Sequence, residues 1–287
     1  MYTYNFMEKI LFPPTILHKG KLINEIEGKT FLITGASSGI GRTLACELAE
    51  YRVTLILIAR REQMLQQLKE ELKECPAAIQ LISADLRKEE DMQKTIEELV
   101  NLPIHFFISN AGLSINRPLY ESLDRFHDFS RTMAINYFAP VQLLLALLPN
   151  LEKNNGQIVN VSTINTLLLP FPNWAAYQAS KNAFDTWFRS SSPELNKKGM
   201  ATSTLYLPLV KTPMIEPTIA YRNTPAMNSI HVAHIILKML YTKRRTYKPW
   251  WAIFGQFVSF VFRGLIEKRL AKPKQKKEKS SHANKPI

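Results

Sequence analysis

Cysteine is nearly absent from these 287 residues, and Cys46 and Cys75 are the whole complement. Two thiols cannot build the disulfide framework of a small secreted domain, and no paired CxxC groups offer a metal four thiolates. The expectation is a reducing compartment and no metal site. Acidic residues run short at one end. From Lys238 onward there are 14 Lys/Arg against 2 Asp/Glu, so almost all of the formal charge of +13 lies there and the body is close to neutral. A secretory leader is not evident, because the first apolar stretch, 10–17, is short and is broken by Pro13 and Pro14. The C-terminal apolar run between Lys248 and Arg263 has 14 residues, fewer than the roughly 20 that span a bilayer. A transmembrane segment is therefore not expected.

Hydrophobic residues make up 46% of the chain, enough for one large core. Short apolar or β-branched runs of strand length occupy 29–34, 53–59, 78–83, 104–109, 157–162 and 201–207. Helix-length segments lie between them at 40–50, 62–74, 88–100, 124–151 and 174–196. Strict alternation implies crossover connections and a parallel sheet covered on both faces. The expected class is α/β, a doubly wound parallel sheet, in one domain. Its boundaries are read as an N-terminal extension over 1–27, the sheet domain over 28–249, an amphipathic helix over 250–270 and a basic, low-complexity tail over 271–287, expected to be disordered.

In such sheets a ligand lies beyond the carboxyl ends of the strands, near the point where strand order reverses. The first strand runs into TGASSGIG, 34–41, at the start of a helix. Gly35, Gly39 and Gly41 let backbone turn sharply and come close to a diphosphate, which the helix N-terminus favours, with Ser37, Ser38 and Ile40 between them. The second strand ends in Ala59-Arg60-Arg61. A ribose with free hydroxyls is usually met there by a carboxylate, whereas guanidinium groups pair with a 2′-phosphate, so NADP(H) is favoured over NAD(H). Asp85-Leu86 after the third strand and Asn110-Ala111-Gly112 after the fourth are candidates for the adenine contact and for a close turn beside the dinucleotide. Each alone reads equally as an ordinary turn.

Tyr177 and Lys181 are four residues apart in YQASK, on one face of a predicted helix. A phenol titrates near pH 10 by itself. An adjacent ammonium favours the phenolate, which would fit Tyr177 to exchange a proton with a carbonyl oxygen or an alcohol. The same spacing also occurs on many helix surfaces.

Taken together, TGASSGIG, Asn110-Ala111-Gly112, Asn136, the strand ending VNVST at 159–163, and YQASK resemble the short-chain dehydrogenase/reductase family in order and spacing, over about 29–248. The resemblance implies a Rossmann-type fold with Tyr177 as proton donor, Lys181 holding the nicotinamide ribose, and Asn136 supporting a proton-relay water. It also implies a hydroxyl that orients the substrate carbonyl. The family usually has Ser-Ser where this chain has Ser162-Thr163, and both hydroxyls stay candidates, with Thr163 in the matching place. Val210 and Thr212, in PLVKTPM at 208–214, are similar to the segment that meets the nicotinamide amide, with Leu209 in place of a glycine.

The segments 136–149 and 208–221 look like a subgroup that includes fatty acyl-CoA reductases. This implies an apolar carbonyl or alcohol substrate, with Leu167, Leu168, Leu169, Phe171, Met214 and Ile215 lining its site. The family also implies a homodimer or tetramer through the long helices at 124–151 and 174–196. In the C-terminal segment, Phe254, Phe257, Val258, Val261 and Leu265 share one helical face, Gln256, Ser259, Arg263 and Glu267 the other, and a polybasic stretch follows. That pattern suits peripheral contact with a membrane surface from the cytoplasm, or a helix docked on the body or on a second subunit. Nucleic acid is a poor fit, because the basic run has no interleaved aromatic residues. A dinucleotide-binding module that senses redox state without turnover is the rival reading. It predicts loss of the tyrosine or the lysine, and both are present.

Overall fold

The computed structural model describes residues 4–271 apart from 217, 219, 220, 222 and 223. The basic tail over 272–287 lies outside them. Two N-terminal helices, α1 (Phe6–Leu11) and α2 (Lys19–Ile26), precede the first strand. Strand and helix then alternate: β1 (Thr30–Thr34), α3 (Gly39–Ala49), β2 (Thr54–Ala59), α4 (Glu62–Glu71), β3 (Ala78–Ser83), α5 (Glu89–Leu99) and β4 (Phe106–Ser109). The second half holds α6 (Phe126–Met133), α7 (Ala139–Lys153), β5 (Gln157–Thr163), α8 (Ala175–Lys197) and β6 (Ala201–Leu207). A two-stranded ladder, β7 (Val210–Lys211) with β8 (Met227–Asn228), leads to α9 (Ser229–Thr242), β9 (Thr246–Tyr247), α10 (Ala252–Val261) and α11 (Arg263–Leu270).

The expected doubly wound sheet is present, with seven strands in the order β3-β2-β1-β4-β5-β6-β9, all parallel. Side chains alternate between its two faces, as the pleat requires. On β1, Phe31 and Ile33 join the core under α3 and α9, while Leu32 joins the core under α5, α7 and α8. On β4, Phe106 and Ile108 go to the first core and Phe107 to the second. Strands buried on both faces carry continuous apolar runs, which is why their ends were readable from sequence. Strand order reverses between β1 and β4, and the crevice opens at the carboxyl ends there.

The segment expected as one helix over 124–151 is one helix with a flaw. A single π-turn, Ala134–Phe138, separates α6 from α7. Over Phe126–Lys153 this helix is long and apolar enough to cross a membrane, which the short C-terminal run did not signal. One apolar face of it is core: Leu143, Leu144, Leu147 and Leu151 are fully buried against the sheet.

The N-terminal segment packs tightly on the body. Phe12, Leu22 and Ile26 are buried in the first core, and Glu8, 3% exposed, pairs with Lys211 of β7 at 2.7 Å. Beside it, His231 of α9 is 1% exposed, with Tyr4 Oη 3.0 Å from Nδ1 and Thr15 Oγ1 3.0 Å from Nε2. Burial, reinforced by nearby His234, pushes the His231 pKa down to about 4. The folded state therefore prefers the neutral ring, while the unfolded chain takes up a proton near pH 6.5. Stability from this site is full above about pH 6.5 and is lost as pH falls toward 4. Between pH 7 and pH 5 the loss should be on the order of 2 kcal/mol in urea unfolding. His231→Gln should flatten that slope at a lower overall stability, and equal slopes for both proteins would contradict the assignment.

Candidate active site

The first crossover is tight because other backbone occupies the space around it. Gly35 has φ +69°, and a Cβ there would sit 2.9 Å from Ala111 Cα. At Gly41 a Cβ would come within 2.5 Å of the Gly35 carbonyl oxygen and 2.7 Å of Asn110 Nδ2. The turn is locked to the end of β4. Thr34 Oγ1 accepts from the Asn110 and Ala111 N–H groups, both at 3.0 Å, and Asn110 Nδ2 donates to the carbonyls of Thr34 (2.9 Å) and Gly35 (3.3 Å). Asn110 thus acts as a brace. Thr34 opens the TGASSGIG motif, but a threonine ending a strand has no signal that marks this bracing role.

Arg61 reaches across from the end of β2 and donates to Ser37 Oγ at 3.1 Å and Ser38 Oγ at 2.8 Å. Guanidinium and hydroxyl groups converge beside the glycine turn, and Arg60 lines the same cleft. Asp85 also reaches this rim, but its carboxylate is committed to Arg87, at 2.8 Å to Nε and 2.5 Å to Nη2. That bond, assisted by the Arg87 N–H, holds the Asp85 pKa below the usual carboxylate value. The carboxylate is thereby taken up within the protein, and Leu86 lines the cleft beside it.

At the other end of the cleft, Tyr177 and Lys181 project from the first turns of α8. The Thr163 hydroxyl at the end of β5 stands near enough to Tyr177 to lower its pKa. Ser162 Oγ is buried and has no partner among the described residues. Of the two hydroxyls, the one at 163 is the one that acts on the tyrosine pKa. Lys181 Nζ donates to the Val161 carbonyl at 3.2 Å.

The expected depression of the tyrosine pKa is not found. Burial pushes the Tyr177 phenol up to about 12, against the lowering influence of Thr163, and burial pulls Lys181 down to about 8, against nearby Asp185. One dry environment moves both groups toward neutrality, because it penalises phenolate and ammonium alike.

Asn136 is 1% exposed and sits in the π-turn, behind the cleft wall. Its Oδ1 accepts from Leu113 N at 2.9 Å, and its Nδ2 donates to the Leu113 carbonyl and to Ser180 Oγ, both at 2.9 Å. Gly112 lies directly against it, where a Cβ would be 3.1 Å from Asn136 Oδ1 and 3.5 Å from Lys181 Nζ. The amide is taken up by protein partners, so this side chain is a strut for 112–113.

These groups share one cleft of about 430 Å³. Gly35, Ser37, Ser38, Gly39, Ile40, Arg60, Arg61, Asp85, Leu86, Asn110, Ala111, Gly112, Ser162, Thr163, Tyr177, Lys181, Val210 and Thr212 all line it. Gly41 and Asn136 stand behind its wall. The apolar end differs from expectation. Met214 and Ile215 line it, but Leu167, Leu168, Leu169 and Phe171 do not. A 3₁₀ turn over Ile164–Thr166 carries the chain away from the cleft, and Leu168 packs instead near Gly255 of α10. Trp174 and Tyr221 take their place, stacked at 5.9 Å, with Trp174 edge-on to Tyr177 at 5.8 Å. Trp174 lies three residues before Tyr177, a helical spacing that placed it within reach. Tyr221, far along the chain, offered no such clue.

A model of the short chain dehydrogenase family matches residues 29–222. The chain is 39% identical over 215 residues to a fatty acyl-CoA reductase of Acinetobacter baylyi, covering 74% of this chain and 72% of that protein. It is 38% identical over 212 residues to a fatty acyl-CoA reductase of Mycobacterium tuberculosis, covering 73% and 72%. Among solved structures, a short-chain dehydrogenase of Sphingobium yanoikuyae in complex with NADPH superposes with a TM-score of 0.73 at 23% identity, covering 86% of this chain and 97% of that one. One of Burkholderia phymatum in complex with NAD gives 0.72 at 21% identity, covering 87% and 99%. Neighbours of this fold are thus seen with either dinucleotide.

Gly41→Ala tests the cradle. The added methyl forces the Gly35 carbonyl away, and NADPH affinity, read by quenching of protein fluorescence, should fall at least about tenfold, since each 1.4 kcal/mol of misfit is a factor of ten. Unchanged affinity would show that the turn does not hold the dinucleotide.

Proposed function

Because the chain belongs to the short-chain dehydrogenase family, we propose that it is an NADP(H)-dependent oxidoreductase moving hydride between nicotinamide and the carbonyl or alcohol carbon of a long apolar acyl substrate. The observation that carries this reading is the pairing of two constellations in one cleft. Arg61 with Ser37 and Ser38 gathers donors suited to an anion at one end, and Thr163 with Tyr177 gathers hydroxyls suited to proton transfer at the other.

The residues present fit the dinucleotide. The turn at 35–41 would hold the diphosphate at the start of α3, Arg60 and Arg61 the 2′-phosphate, and Asn110-Ala111-Gly112 the middle of the cofactor. Lys181 would hold the nicotinamide ribose, and Val210 with Thr212 the carboxamide. Bound NADPH supplies the hydride. Tyr177 keeps its proton at neutral pH, since burial has raised its pKa to about 12. It gives that proton to the carbonyl oxygen as the carbon is reduced, and Thr163 holds the oxygen in place. A protonated donor in the free enzyme favours the direction of reduction. Asn136 acts as a positioning residue through Leu113 and Ser180.

The similarity to two fatty acyl-CoA reductases, together with Trp174, Tyr221, Met214 and Ile215 around the donor, supports an acyl thioester or long-chain aldehyde as substrate. Phe138 and Leu145 stand exposed on the long helix, which suits a homo-oligomer formed through α6, α7 and α8. Free cysteines suit a cytoplasmic setting.

Turnover of NADPH with long-chain aldehydes and acyl-CoAs tests the function. Tyr177→Phe should lower kcat by roughly 10² to 10⁴ with NADPH binding intact. Arg61→Ala should raise KM for NADPH by more than about tenfold while leaving NADH use little changed, as expected when a charge-assisted bond worth about 1.5–3 kcal/mol is removed. An active Tyr177→Phe protein would overturn the proton assignment, and NADPH binding without turnover of any substrate would favour the redox-sensing alternative.

The two hydroxyls at 162 and 163 separate cleanly. Thr163→Ala should lower kcat about 10² to 10³, as loss of an oxyanion-type donor does. Ser162→Ala removes a buried group that has no partner among the described residues, so activity should stay within about threefold and stability should not fall. The reverse ranking would transfer the orienting role to Ser162.

A further inference from the structure

Helix α10 presents the opposite face from the one a soluble body normally leaves in water. Its small and polar residues turn inward: Gly255 lies against Leu168, Ser259 Oγ accepts from Leu169 N at 3.4 Å, and Gln256 Oε1 accepts from Lys248 Nζ at 2.6 Å. Its large apolar residues turn outward. Phe254 is 65% exposed, Phe257 63% and Phe260 86%, and Leu265 of α11 continues the row at 65%. A second element extends this surface. Trp250, just before α10, donates from Nε1 to the Ile10 carbonyl at 3.2 Å, which brings the end of α1 alongside, with Phe6 82% exposed and Ile10 53% exposed. So many aromatic rings in water are costly unless something covers them.

We propose that the joined outer face of α10 and α1 seats on an anionic lipid bilayer, and that the acyl substrate passes from that bilayer to the cleft over the rim at 164–169. The second half of the proposal rests on the reading of the cleft as an acyl-substrate site. Charge identifies the occupant. Lys268 and Arg269 follow the apolar row on α11, and the sequence then adds six Lys against one Glu over 272–287. An apolar helix face flanked by a polybasic segment is the combination that holds peripheral helices on anionic lipid. A second copy on this face would bring a like-charged segment against this one, which opposes pairing. The rim supplies the connection to chemistry: Leu168 and Leu169 touch α10, while Ile164 and Asn165 of the same loop line the cleft next to Tyr177.

The test uses the full chain in flotation with vesicles of phosphatidylcholine alone and of phosphatidylcholine with phosphatidylglycerol. Wild type should float with the mixed vesicles at least about tenfold more than with the neutral ones, because each cation near the surface adds to binding. The variant Phe254→Ser/Phe257→Ser/Phe260→Ser should lose that binding and keep NADPH turnover with a short, water-soluble aldehyde. Phe260→Ser alone, at the most exposed of the three positions, should weaken flotation without disturbing the fold. Turnover of the soluble aldehyde is read without vesicles, so a failed functional reading and a failed membrane reading give different results. Wild type that stays unbound to both vesicle types overturns the proposal. So does a triple variant that floats as wild type does, and so does one that converts a wild-type dimer to monomer while wild type ignores vesicles, which would assign the face to a second copy.

Discussion

The splice between the ends of β1 and β4 is the contact on which the rest of the site depends. Thr34 and Asn110 bind each other's backbone across the one place where strand order reverses, and Thr34 Oγ1 also donates to the Ile108 carbonyl at 3.3 Å. With that brace in place the backbone at Gly35 and Gly41 has room for nothing larger than hydrogen. The brace also fixes Ala111 and Gly112, and Gly112 in turn abuts Asn136 and Lys181. One knot of hydrogen bonds therefore sets the distance between the Arg61 end of the cleft and the Tyr177 end. Buried, mutually satisfied polar groups of this kind define a single arrangement, because any alternative leaves donors or acceptors without partners.

Dryness around Tyr177 has a second consequence. It holds Tyr177 protonated and makes Lys181 easier to discharge, and the two shifts share one cause. Behind Lys181, one helical turn on, Asp185 is 3% exposed, leans on Arg189 at 3.2 Å, and leaves Oδ1 without a partner among the described residues. That carboxylate raises the Lys181 pKa and so opposes its discharge. The counter-charge on its own helix thus works to keep the lysine charged.

Much of this was legible beforehand for physical reasons. Strands buried on both faces must be apolar throughout, so their runs were located to within one or two residues, and glycine in a strand-to-helix turn marked the cradle. The tyrosine and lysine were legible through helical spacing. What was missed depends on contacts between distant segments. The π-turn around Asn136 has no local signature, and α9, apolar around most of its girth, lacks the periodic stripe that marks a surface helix. Arg87 captured Asp85, and burial, opposed by Thr163, raised the Tyr177 pKa, neither of which follows from spacing. The amphipathic pattern of α10 was visible, but only the packing showed that its polar stripe is the docked one.

Transfer of hydride to an apolar carbonyl is the central claim. Its most direct measurement is mass spectrometry of the product formed from a long-chain aldehyde and NADPH carrying deuterium at the transferable C4 position. The account predicts one deuterium on the new carbinol carbon of each alcohol, in step with cofactor oxidised. Bound, unoxidised cofactor and unlabelled aldehyde after many equivalents would contradict it and leave a dinucleotide-binding protein that does no chemistry.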